Sequence, residues 1–140
     1  MRNAIALALL VAVTCSLTWA VCIEGHVPIK KEFSRSLYVM TARVIATQSV
    51  SDSQDGYFLD GVNSTLQPIE ILKGHPPAAV TVFSENSSGR FDLKPSKSYL
   101  VFIYREHGRV RVDSCGNSGL LDDSKQTLAT TRKLMRQLAK

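Results

Sequence analysis

The sequence predicts a β-rich α+β protein, in which five short antiparallel strands close into a barrel and one α-helix follows. Three features of the 140 residues point there. Runs of β-branched and aromatic residues alternate between polar turns from about residue 33 to about residue 118. From about 122 to 139 the apolar period lengthens to that of a helix. Two cysteines, Cys22 and Cys115, bracket the β-rich part.

A leader precedes this part. The chain opens MRNAIALALLVAVTCSLTWAVC. Arg2, the apolar run Ala4–Val13 and Thr18-Trp19-Ala20, with small residues where a signal peptidase reads, have the layout of a secretory signal peptide over residues 1–20. The run is too short to span a bilayer, which needs about 20 apolar residues. An uncleaved anchor or a buried helix is the alternative. Lipid attachment wants a small residue just before the cysteine and a Leu-like residue three before it, and neither Cys15 nor Cys22 has both. The expectation is an exported protein, secreted or periplasmic, without a membrane span, whose residues 21–140 form a single, monomeric domain.

The strands follow in order. Ser36–Gln48 alternates on both parities, with Leu37, Val39, Thr41, Arg43 and Ile45 on one and Tyr38, Met40, Ala42 and Val44 on the other. A strand apolar on both sides suits a curved, covered barrel better than a flat solvated sheet. Ser49–Gly56 is a polar turn, and Tyr57–Leu72 is a second β-rich stretch, broken by Gly74 and Pro76-Pro77. Ala79–Phe83 is a third strand. Ser98–Tyr104, SYLVFIY, is apolar enough to be central. Arg109–Cys115 returns from it as a hairpin, with Val110 and Val112 on one face and Arg109, Arg111 and Asp113 on an exposed one. In the last segment Leu128, Leu134 or Met135, and Leu138 recur at helical spacing, with Asp122, Asp123 and Ser124 available as caps. Five such strands make an OB-like closed barrel the simplest architecture, ahead of a sandwich, which usually needs seven.

Charge narrows the function classes. The chain carries 17 Lys+Arg against 12 Asp+Glu. Loss of Arg2 with the leader leaves 16 against 12, a mildly basic protein rather than a polybasic nucleic-acid binder. Export argues against DNA or RNA as well, and the loss of Trp19 leaves no tryptophan for a sugar platform. Arg105, Arg109 and Arg111 form a candidate basic surface for a polyanionic glycan or cell-surface ligand; the plainer expectation is a solvated strand face. Asn63-Ser64-Thr65 and Asn86-Ser87-Ser88 fit the glycosylation acceptor pattern.

Cys15 leaves with the leader, so Cys22 and Cys115 remain as an even pair in an oxidising compartment and read as a disulfide. A metal set of Cys22, His26 and Cys115 is incomplete. A nucleophilic Cys115 needs a base, and His26, His75 and His107 sit in no catalytic motif. Gly116-Asn117-Ser118-Gly119 lies one residue type from a serine-protease signature, without the His and Asp context. No catalytic residues, cofactor or metal are expected, and the chain reads as non-enzymatic.

A resemblance enters through the order of these phrases. Cys22 near the mature start, then "SLYVMTARVI", "IEILKG", "KSYLVFI" and "VDSCGNS", resembles the netrin-like domain, whose family includes the N-terminal domain of the tissue inhibitors of metalloproteinases. The resemblance covers about Cys22 to Ser118. It implies an OB-like barrel with a flanking helix, a Cys22–Cys115 link from the N-terminal arm to the barrel end, and a role as a binding module for another exported protein. It also implies an alternative, inhibition of a metalloprotease through the arm Cys22, Ile23 and Glu24, in which the α-amine and carbonyl of the first cysteine chelate the protease zinc. Two departures weigh on that alternative. Cleavage after Ala20 leaves Val21 ahead of Cys22, and Glu24 stands where the family has a second cysteine.

Overall fold

The structure, a computed structural model, describes residue 22, residues 25–51 and residues 60–139. The expected leader, Ile23, Glu24 and most of the polar turn after the first strand lie outside the described residues. The element order is α1 (Ile29–Arg35), β1 (Tyr38–Val50), β2 (Gly61–Lys73), β3 (Val80–Glu85), β4 (Ser98–Glu106), β5 (Arg109–Val112), β6 (Gly119–Leu120) and α2 (Lys125–Leu138). All six strands join one antiparallel sheet, ordered β3-β2-β1-β4-β5, with β6 beside the first half of β4.

β1 is the hub because it is apolar on both sides. Met40, Ala42 and Val44 point into one cluster with Leu66, Val80, Val82, Tyr99, Val101 and Ile103. Val39 points the other way, where Leu72, Leu100 and Phe102 are covered by Phe33 of α1 and Leu128 of α2. The sheet therefore has two cores, an inner concave one and an outer one under the helices. Phe102, Met40 and Leu100 are fully buried, each side chain contributing about 1.5–3 kcal/mol by leaving water.

The sheet is strongly curved but is not closed by a backbone ladder. Its edge strands β3 and β5 lie within 8 Å of one another, and side chains bridge them. The Arg109 guanidinium sits 4.2 Å from the centre of the Phe83 ring and that of Arg111 sits 5.5 Å from it, while Arg111 Nη1 lies 2.5 Å from Glu85 Oε1. The expected exposed outer face on β5 holds for Arg109 but not for Arg111, which is half-buried at the seam beside the Phe83 ring and Glu85.

Further expectations change. A sixth strand exists, and β5 ends at Val112 rather than at Cys115. The chain leaves the ladder there, crosses as a strap over residues 113–118, and rejoins β4 at Tyr99↔Leu120 and Leu100↔Gly119. Helix α2 starts at Lys125. Ser124 occupies the N-cap, but its hydroxyl donates back to Leu120 O at 2.8 Å instead of capping the helix, and Asp122 and Asp123 lie in the preceding turn. Leu138, expected on the packed stripe, is 69% exposed. Among the described residues no helix is long and apolar enough to cross a membrane.

Candidate functional site

The end of the sheet where β5 stops gathers the features that the sequence singled out. Asp113 begins the strap with an Asx turn, its Oδ1 accepting from Cys115 N at 2.8 Å. That turn presents Cys115 to Cys22, and the two form a disulfide with Cα atoms 5.5 Å apart across 93 residues of chain. The expected bond is present. Ser118 completes the strap. Its hydroxyl oxygen accepts from Phe102 N at 2.9 Å, filling the gap in the β4 ladder between its β5 and β6 partners. The serine of the protease-like phrase thus stands in for a missing strand residue.

The arm leading from Cys22 to α1 is held by more than the disulfide. Cys22 O accepts from Gly25 N at 3.1 Å, which turns the chain. His26 Nδ1 lies 3.2 Å from Gly116 O. Asn117 Nδ2 donates both to Val27 O and to Glu32 Oε2, each at 2.6 Å, and Asn117 N donates to the same Glu32 oxygen at 2.7 Å. One asparagine therefore joins the arm, the strap and α1.

Helix α1 carries Glu32 to this junction. Its own seat is fixed by Lys73, whose ammonium donates to Phe33 O, Ser34 O and Ser36 O at 2.6–2.8 Å, satisfying carbonyls that the helix end leaves without partners. Glu32 is only 5% exposed. Its Oε2 takes both Asn117 donors, whereas Oε1 is buried against Gly116 without a hydrogen-bond partner among the described residues. Burial pushes the Glu32 carboxyl above the usual range, and Asp113 adds to the rise; the Asn117 donors and His26 pull the other way without cancelling it. Glycine at position 116 leaves room for this carboxylate, and a Cβ there would force the Glu32 side chain to shift.

Beside the junction opens a cavity of about 290 Å³, lined by Val27, Glu32, Arg35, Tyr104, Arg105 and Asp113 among others. A smaller one of about 190 Å³ lies across Tyr104 and Asp113, towards Phe83, Arg90 and Arg111. Tyr104 is shared by both and stays protonated well beyond the ordinary tyrosine range, because burial is reinforced by Asp113, Glu106 and Glu32.

Of the residues proposed from sequence, Cys22 and Cys115 come together, and Ile23 and Glu24 lie outside the described residues. The basic trio is divided. Arg105 pairs with Val110 on one parity of the β4–β5 hairpin, while Arg109 and Arg111 pair with Glu106 and Tyr104 on the other. Asn63 sits within β2 between two neighbours, with Ser64 fully buried; Asn86 lies in an exposed turn. His75 is an exposed loop residue and His107 opens the β4–β5 turn with a positive φ, whereas His26 belongs to the arm. Glu32 and Asn117 were not singled out by sequence. No protein-family model and no curated protein sequence matches this chain.

Proposed function

We propose that this chain is an exported, non-enzymatic binding module of netrin-like type, which presents its disulfide-braced arm and the adjoining cavity to another exported protein. One observation carries the reading. A segment near the chain start is fixed to the far end of the sheet by a covalent bond and by hydrogen bonds through His26 and Asn117, next to an open cavity. Ordering a recognition segment before encounter reduces the entropy lost on binding. The strand order β3-β2-β1-β4-β5, with β3 beside β5, supports an OB-like barrel whose last seam is made by side chains. Fold alone does not specify a ligand, so the arm and not the barrel carries the functional claim.

Metalloprotease inhibition is the second reading. It needs a free amine and a free carbonyl on Cys22, and the carbonyl already accepts from Gly25 N. The turn would have to yield for zinc chelation, which ranks this reading below generic protein binding.

The test uses a photo-crosslinking residue introduced at His26 or Arg105, beside the cavity, and at Thr130 on α2 as control. The expected result is one discrete exported partner captured from the two arm-side positions and not from the control. Equal labelling from all three positions, or none from any, would overturn the assignment of the arm as the binding surface.

A further inference from the structure

We propose that Glu32 and Asn117 form a proton-sensitive latch that positions the arm residues Gly25–Val27, so that acidification seats the arm and alkaline conditions loosen it. The inference rests on the proposed role of the arm and names a regulation of that same site.

The geometry is specific. Asn117 spends all three of its described donor contacts on this junction, one to Val27 O in the arm and two to a single oxygen of Glu32. Through Asn117 the carboxyl thus decides where the arm carbonyl finds its donor. The second oxygen, Oε1, is buried and has no hydrogen-bond partner among the described residues. An ionised carboxylate in that seat holds charge on an oxygen that is buried and finds no donor among the described residues, and leaving the seat exposes it to solvent. A neutral carboxyl carries no such penalty, so proton uptake favours the seated state.

The surroundings set the sign. From the strap, Asp113 faces Glu32 and opposes its ionisation; from the arm, His26 favours it. From α1 and the residue after it, Arg35 and Ser36 share the cavity, and from β4 Tyr104, Arg105 and Glu106 do so. Tyr104 remains neutral throughout ordinary pH. The two exposed arginines are solvated, and the Ser36 hydroxyl is occupied in donating to Glu32 O at 2.7 Å, so it offers the carboxyl nothing. Burial therefore dominates, as it does in the direction of the Glu32 shift.

The test is made on the free mature protein with its disulfide intact, so it does not depend on any partner. Amide-exchange protection of residues 25–27 and 117, corrected for the intrinsic pH dependence of exchange, is followed between about pH 8 and about pH 3. The expected result is protection that rises on acidification and is lost again as the pH is raised. The Asn117 N–H resonance should titrate in step, with a midpoint above 4.5, the ordinary glutamate value. Glu32→Gln should flatten both profiles, and His26→Asn should leave the pH dependence in place. Protection independent of pH in the wild-type chain, or a pH dependence that survives Glu32→Gln or vanishes in His26→Asn, would overturn the latch. Should Glu32→Gln not fold, the wild-type Asn117 titration decides alone, because a midpoint at or below 4.5 contradicts the proposal. A failed latch with successful crosslinking from His26 would leave the binding role standing, and the reverse pattern would leave a latch without that role.

Discussion

At the scale of single residues, the junction is governed by how tightly Glu32 fits against Gly116. The carboxylate fills the place where a side chain on residue 116 would begin, so Gly116→Ala should cost about 1–3 kcal/mol of stability by overpacking. Paired with Glu32→Ala it should cost markedly less than the sum of the two single changes, because both act on one volume. Denaturant unfolding of the four variants measures that coupling; strict additivity would contradict the contact. The pH dependence of stability has a definite sign. Below the ordinary glutamate range Glu32 is protonated in both folded and unfolded chains and costs nothing. As pH rises, the unfolded chain gives up the proton first, so folding is penalised increasingly until the raised folded value is passed, and by a constant amount above it. The stability of Glu32→Gln relative to wild type should therefore climb from about pH 4 and then level off. Glu70 behaves oppositely: the Arg132 hydrogen bond lowers its carboxyl value, so its contribution is present at neutral pH and is lost on acidification. Neither Glu32 nor Asn117 was legible in the sequence. In "IKKEFSR" a glutamate between cations reads as part of a solvated face, and nothing in "CGNSG" distinguishes an asparagine that bonds three segments from one that only makes a turn.

At the scale of elements, legibility followed the clarity of the period. β1 and β4 were readable because Ser36–Gln48 is apolar on both parities and SYLVFIY is apolar throughout, and both lie at the centre of the sheet. The hairpin between β4 and β5 was readable too; its two-residue turn, His107-Gly108, has φ of 49° and 76°, the left-handed pair that matches strand twist. α1 was missed. Its seven residues bury the adjacent Glu32 and Phe33, which gives no helical repeat, and its stability comes from Lys73 and the outer core rather than from its own sequence. β6 was missed because two residues carry no pattern. The seam between β3 and β5 also has a testable consequence. Arg111→Ala removes the Glu85 pair and one of the two guanidinium groups beside the Phe83 ring, and should destabilise by about 1 kcal/mol. Arg111→Lys should recover only part of that loss, since a lysine keeps the charge but not the flat group that lies over the ring. Thermal unfolding at low and high salt separates the two contributions, the ionic part shrinking with salt while the ring cover persists.

At the scale of the whole molecule, the disulfide couples the start of the described chain to the strap that ends the β5 hairpin. In the chain-entropy picture a bond spanning 93 residues contributes about 4–5 kcal/mol, with measured values for native disulfides of about 2–5. The double variant Cys22→Ser, Cys115→Ser should keep the sheet, whose two cores do not include either cysteine, and lose the ordered arm. Far-ultraviolet circular dichroism with amide exchange would show the two effects separately. The bond between Cys22 and Cys115 fixes the arm in space. The most direct measurement is the intact mass of the exported protein, before and after reduction and alkylation. The expected mass corresponds to a chain starting at Val21 with its two thiols oxidised, which gains two alkyl groups only after reduction. A chain that still carries residues 1–20, or one whose two thiols alkylate without reduction, would contradict the exported, disulfide-braced arm on which the proposed function depends.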